Sequence, residues 1–148
     1  MPVAPSTFRP FPSIAEANGA RLLDVQARRL VEAVREGFPF EAFERFRGFL
    51  DVPARRLGKA MAVAERTLAR RKKRGRFTTE ESDRLLRLAR LAEMALAVFE
   101  GNEMRARRWL TGPKSLLNGE PPLERADTEA GAREVEDMLF TVEFTGVA

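Results

Sequence analysis

From Ala20 to Glu36 the apolar residues Leu22, Leu23, Val25, Ala27, Leu30, Val31 and Val34 recur at steps of three and four, and Gly37 with Pro39 stops the pattern. One amphipathic helix is predicted there. A second, short helix is predicted from Phe40 to about Leu50, where Phe43, Phe46, Phe49 and Leu50 keep helical spacing and mark core. Pro53 suits the first turn of a third helix that ends near Met61, and a fourth runs from Ala64 or Glu65 to about Arg74 before Gly75. Thr78-Thr79-Glu80-Glu81 has the form of a capping box. It opens a long helix to Phe99 whose inward face holds Leu85, Leu88, Leu91, Ala92, Ala95 and Val98.

Gly101-Asn102 ends that helix, a short one carries Trp109 and Leu110, and Gly112-Pro113 breaks the chain again. Trp109 is expected to be core. After the Asn118 to Pro122 loop, Thr128 caps a last helix through Val135, Met138, Leu139 and Val142, with an extended tail expected near residues 141–147. No strand-like alternation of any length is present elsewhere, so the expected fold is all-α. Residues 1–18, rich in proline and small residues, are expected to form a flexible arm that docks through Phe8 or Phe11.

Charge divides this helical chain. Residues 54–76 hold ten Lys and Arg against the single acid Glu65, a local charge of +9, whereas the whole chain carries +4. Residues 1–53 and 77–112 are each neutral, and residues 113–148 sum to −5. A basic middle and an acidic end point to two partners of different character. The 148-residue chain is long enough for a core, and no stretch approaches the roughly 20 apolar residues of a membrane helix, so a cytoplasmic protein is expected.

The chain has no His, Cys or Tyr, which removes most nucleophiles, neutral-pH proton shuttles and soft metal ligands. Glu80 with Glu81, or Glu134 with Glu136 and Asp137, are the remaining acid/base candidates, but adjacent acids near a helix start serve the macrodipole or solubility. No enzyme, catalytic residue, cofactor or metal is expected.

The basic segment has the order of a helix-turn-helix. Leu57 and Met61 would pack inward, Gly58 would allow close helix contact, Ala62 would occupy a turn where glycine is common, Val63 would plug the core, and Leu68 would anchor the second helix. Arg66, Thr67 and Arg70 are then expected at base edges, and Arg71, Lys72, Lys73, Arg74 and Arg76 at phosphates. Ala62 in place of glycine, and Arg71 where a second apolar anchor is common, are the departures from the pattern. Without an aromatic platform in the segment, duplex DNA fits better than unpaired RNA.

Gly37-Phe38-Pro39, Arg66-Thr67-Leu68-x-Arg70-Arg71, Gly75-Arg76, Glu81-Ser82-x-Arg84-Leu85 and Arg87-Leu88-Ala89 resemble the Xre/MbcA/ParS antitoxins. Further on, Ala106-x-x-Trp109-Leu110, Leu116-Leu117-x-Gly119, Pro122-Leu123, Thr128-x-x-Gly131 and Val135-x-x-x-Leu139 are similar to the toxin-binding domain of that family, over about residues 35–147. The resemblance implies an antitoxin paired with a RES-domain toxin that consumes NAD or transfers ADP-ribose, the NAD belonging to the toxin. It also implies repression of the shared operon at operator DNA, and a homodimer within a hetero-oligomeric complex.

The domains expected are a helix-turn-helix half at 19–76 and a toxin-binding half at 77–148. Toxin occlusion would fall to the C-terminal segment, with Leu139, Phe140, Val142, Glu143, Phe144, Gly146 and Val147 as its residues. An apolar segment with acids beside it suits a cationic nucleotide pocket. The same residues would equally complete a helical core or a dimer contact. Arg84, Arg87 and Arg90, at steps of three, fit a phosphate, a partner or water. The alternative function is a stand-alone dimeric regulator whose acidic half serves dimerisation or effector sensing.

Overall fold

The computed structural model describes residues 13–146. Its α-helices are α1 (Ala20–Leu23), α2 (Leu30–Glu36), α3 (Phe40–Leu50), α4 (Ala54–Ala60), α5 (Glu65–Arg74), α6 (Thr79–Val98), α7 (Glu103–Thr111), α8 (Pro122–Arg125) and α9 (Glu129–Thr145), with 3-10 turns at Ala27–Arg29 and Ser115–Leu117. Among the described residues no β-strand forms, and the only sheet-like pairing is an isolated bridge between Pro39 and Arg76. The protein is all-α.

The continuous helix expected over 20–36 is broken into α1, a 3-10 turn and α2. Asp24 adopts a left-handed conformation, with φ 56°, and its N–H bonds back to Arg21 while that of Val25 bonds to Ala20 at 3.0 Å. Asp tolerates this geometry better than most residues, so local backbone satisfaction overrides the periodicity. Val31 accordingly lies exposed. The tail is also helical and not extended. It ends at Gly146, whose N–H bonds to the Val142 carbonyl at 2.7 Å.

α6 is the central element, packed against α1, α2, α7 and α9. The capping box at its start is complete: the Thr78 hydroxyl accepts from the Glu81 N–H at 3.2 Å, and the Glu81 carboxylate accepts from the Thr78 N–H at 2.9 Å. One apolar cluster runs from Leu23 to Val142 and includes Leu57, Leu68, Leu85, Trp109 and Leu139. The DNA-binding-type and C-terminal halves thus share a core.

Two seams fix the segments that matter for function. Phe40, Phe43 and Phe77 form an aromatic cluster with ring centroids 5.2 to 5.7 Å apart, the Phe77 N–H bonds to the Phe38 carbonyl at 3.0 Å, and Arg76 donates to the Gly37 carbonyl at 2.5 Å. These contacts tie the end of α5 to the α2–α3 link. On the other side, Arg56 of α4 forms an ion pair with Glu124 of α8 and donates to the Thr111 carbonyl at 2.9 Å. Arg107 of α7 donates to the Phe49 carbonyl at 2.6 Å and lies over the Phe49 ring.

Glu93 of α6 is buried in the core, with 1% exposure. Burial pushes its pKa above the ordinary glutamate range; the N–H groups of Gly19 and Arg21 and the Arg21 charge favour the ionised form but only partly offset this. A raised folded-state pKa means that the group's stabilising contribution is present at low pH and lost as pH rises through that value. Glu93→Gln is therefore expected to raise stability by about 1 kcal/mol at neutral pH, an advantage that disappears as pH falls to the unfolded carboxylate range. Chemical denaturation of both proteins across pH measures it, and a pH-independent difference would exclude a charged Glu93 as the cause.

Candidate functional site

The chain between α4 and α5 makes a tight turn because Ala62 takes a left-handed conformation with φ 58°, and the Val63 N–H returns to the Gly58 carbonyl at 2.8 Å. That geometry costs an L-residue about 1–2 kcal/mol relative to glycine. The surrounding packing holds it in place. Leu57 and Met61 are fully buried, Val63 and Leu68 nearly so, and a side chain at Gly58 would meet the Leu68 methyl at 3.3 Å. Each inward position expected of a helix-turn-helix is filled as the spacing requires.

The outer side of α5 is cationic. Arg66, Arg70, Lys72, Lys73, Arg74 and the following Arg76 are exposed, as are Arg55 and Lys59 of α4. Two of the candidate residues are placed differently. Thr67 is half-buried and accepts a bond from Arg70 at 3.3 Å. Arg71 turns inward: its Nε donates to Glu81 at 2.7 Å, with only 15% of the side chain exposed. Arg71 thereby fills the place of an apolar anchor by joining α5 to the capping box of α6. Burial opposes the Glu81 charge, but the Arg71 guanidinium and the Thr78 cap outweigh it and hold the carboxyl below its ordinary range.

Other polar residues singled out along the chain have structural partners. Arg87 donates to the Ala126 and Asp127 carbonyls at 3.2 and 3.0 Å, covering the end of α8. Arg90 pairs with Glu136 at 3.2 Å, and Arg125 bonds Glu120 and Glu134 at 3.1 and 3.0 Å. The carboxylates that seemed available for acid/base work are thus largely spent on holding helices together. Trp109 is 4% exposed, packs against Phe99, and lies beneath the Lys114 ammonium at 5.4 Å.

The C-terminal candidates divide between two faces of α9. Leu139 and Val142 are buried in the core with Ala132 and Val135, which removes them from any exposed contact surface. Phe140 is half-buried, and Glu143, Phe144 and Gly146 are exposed, Phe144 at 84%. At 100° per residue Phe140 and Phe144 share one side of the helix. Val147 lies outside the described residues, as do Phe8 and Phe11 of the N-terminal arm.

A buried helix-turn-helix scaffold with a cationic outer helix, joined through one core to an acidic helical half with an exposed aromatic edge, defines a DNA-binding regulator with a second, protein-binding half. Residues 29–90 match the antitoxin Xre-like helix-turn-helix domain, and residues 94–143 match the antitoxin Xre/MbcA/ParS C-terminal toxin-binding domain. The Xre antitoxin of Yersinia enterocolitica is 31% identical over 115 residues, covering 77% of this chain and 78% of that protein. That of Pseudomonas putida is 42% identical over 78 residues, covering 52% and 48%, and that of Photorhabdus laumondii 26% over 111 residues, covering 74% and 75%. The chain belongs to the Xre antitoxin family. Its partners are therefore a toxin and DNA, and it is a regulatory binding protein, not an enzyme. No helix among the described residues is long and apolar enough to cross a membrane.

Proposed function

We propose that this antitoxin neutralises a RES-domain toxin by covering its NAD-binding cleft with the outer edge of α9, and represses its own operon through α5 as a homodimer. The observation that carries the first half is the exposure of Phe144 on a helix whose other face is locked into the core. A rigid, preorganised aromatic edge flanked by Glu143 costs little ordering entropy on binding and complements a cationic nucleotide cleft. The second half is supported by the cationic outer side of α5 on a packed helix-turn-helix. Phosphate contacts from Lys72, Lys73, Arg74 and Arg76 would supply most of the affinity and make it steeply salt-dependent.

Co-expression with the product of the adjacent gene, which this reading requires to be a RES-domain protein, tests it. A stable co-purifying complex in which NAD turnover is silenced, and which retains binding to the operon's own promoter, is the expected result. A RES-domain protein that neither co-purifies nor loses activity would reject the neutralisation, and the stand-alone regulator would then account for the DNA-binding half.

A further inference from the structure

The charge pattern of α5 contains one exception that phosphate binding does not explain. Glu65 is the only acid among residues 54–76, and it occupies the first position of the helix. It is exposed, and the helical neighbours three and four positions ahead of it, Leu68 and Ala69, offer it no cation. A carboxylate here repels the same phosphates that the surrounding cations attract.

Its placement is nevertheless on the reading side. At 100° per residue, Glu65, Ala69, Lys73, Arg66 and Arg70 fall within an arc of about 140°, opposite Leu68 and Arg71, which point inward. Thr67 lies outside that arc. A helix entering a major groove brings its N-terminal residues to the base edges, so in such a complex Glu65 and Arg66 would be the deepest side chains, with Arg70 and Lys73 further along the same stripe.

We infer that Glu65 is a specificity-determining residue that accepts a hydrogen bond from the exocyclic amino group of a cytosine in the major groove of duplex DNA. The inference rests on the helix-turn-helix reading of α5 proposed above. The chemistry follows from the groove: cytosine presents an amino donor there, guanine two acceptors, and only an acidic side chain both welcomes the first and rejects the second. Arginines at 66 and 70 do the converse, favouring guanine. Ala69, between Glu65 and Lys73 on the stripe, is small enough to let the helix sit close and to accept a thymine methyl. The repulsion that Glu65 adds at every wrong site is then part of its function, since it lowers non-specific binding without touching the matched site.

Selection of bound sequences from a randomised duplex DNA library, with the full-length wild type, Glu65→Ala, Glu65→Gln and Arg66→Ala, tests this. The wild type is expected to select a cytosine at one position, and Glu65→Ala to lose that preference, which amounts to roughly 5- to 150-fold in relative affinity, while binding random duplex more tightly. Glu65→Gln is expected to move the preference at that position to adenine. An unchanged base matrix for Glu65→Ala, alongside a changed one for Arg66→Ala, would overturn the inference and leave α5 as a reader; a lowered melting temperature with that unchanged matrix would assign Glu65 to the helix dipole alone. Wild-type binding that shows no base preference, or none to duplex DNA at all, would instead remove the reading on which the inference rests.

Discussion

Gly131→Ala is expected to cost about 3 kcal/mol or more and to leave the C-terminal half poorly folded at physiological temperature. Gly131 is buried in the first turn of α9, where the Thr128 hydroxyl accepts its N–H at 3.1 Å. A methyl group built on it would overlap the Arg125 carbonyl at the end of α8. That oxygen is backbone and cannot swing aside as a side chain would, so α9 must lift off α8 or the short helix must unwind. Either movement opens the core around Val135 and Leu139, which are fully buried. A guanidinium titration followed by circular dichroism gives the loss directly, and a change below about 1 kcal/mol would show that the α8–α9 link yields more easily than its packing implies.

The helix-turn-helix was legible in the sequence because its logic is short-range. Leu57, Gly58, Met61, Val63 and Leu68 lie within twelve residues, and their spacing alone dictates which side is inward. The capping boundary at Thr78 and the outer cations of α5 were visible for the same reason. Arg71 was not: nothing in its neighbourhood announces that Glu81, ten residues on, will draw it inward, and only the packing of α5 against the start of α6 makes that pair. Asp24 hid the break in the first helical segment because its backbone hydrogen bonds, not its hydropathy, decide it. The four-residue α8 is too short for periodicity to mark.

The tail shows the opposite conflict. Thr141, Val142, Phe144 and Thr145 favour an extended strand by intrinsic propensity, yet the segment is helical. Burial of Leu139 and Val142 against α6 outweighs that preference, and the Thr141 and Thr145 hydroxyls bond back to the carbonyls of Asp137 and Thr141 at 3.0 and 2.7 Å. Removing residues 140–148 would strip Val142 from the core together with the exposed aromatic edge, so a truncation cannot separate a lost contact from a damaged fold.

Phe144→Asp makes that separation. The side chain is 84% exposed, so its replacement is expected to change stability by no more than about 0.5 kcal/mol. Its expected effect on the complex is much larger. A central aromatic anchor typically contributes at least 2 kcal/mol, or roughly 30-fold in affinity, and a carboxylate placed in its pocket adds desolvation that the anchor never carried. The variant should therefore fail to silence the toxin at concentrations where wild type does, while its circular dichroism, melting temperature and operator affinity stay unchanged. Val142→Asp is the contrasting case: it buries a charge in the core and should abolish toxin binding and folding together. If Phe144→Asp neutralises as well as wild type, the outer edge of α9 is not the toxin-binding surface, whatever becomes of DNA recognition at α5.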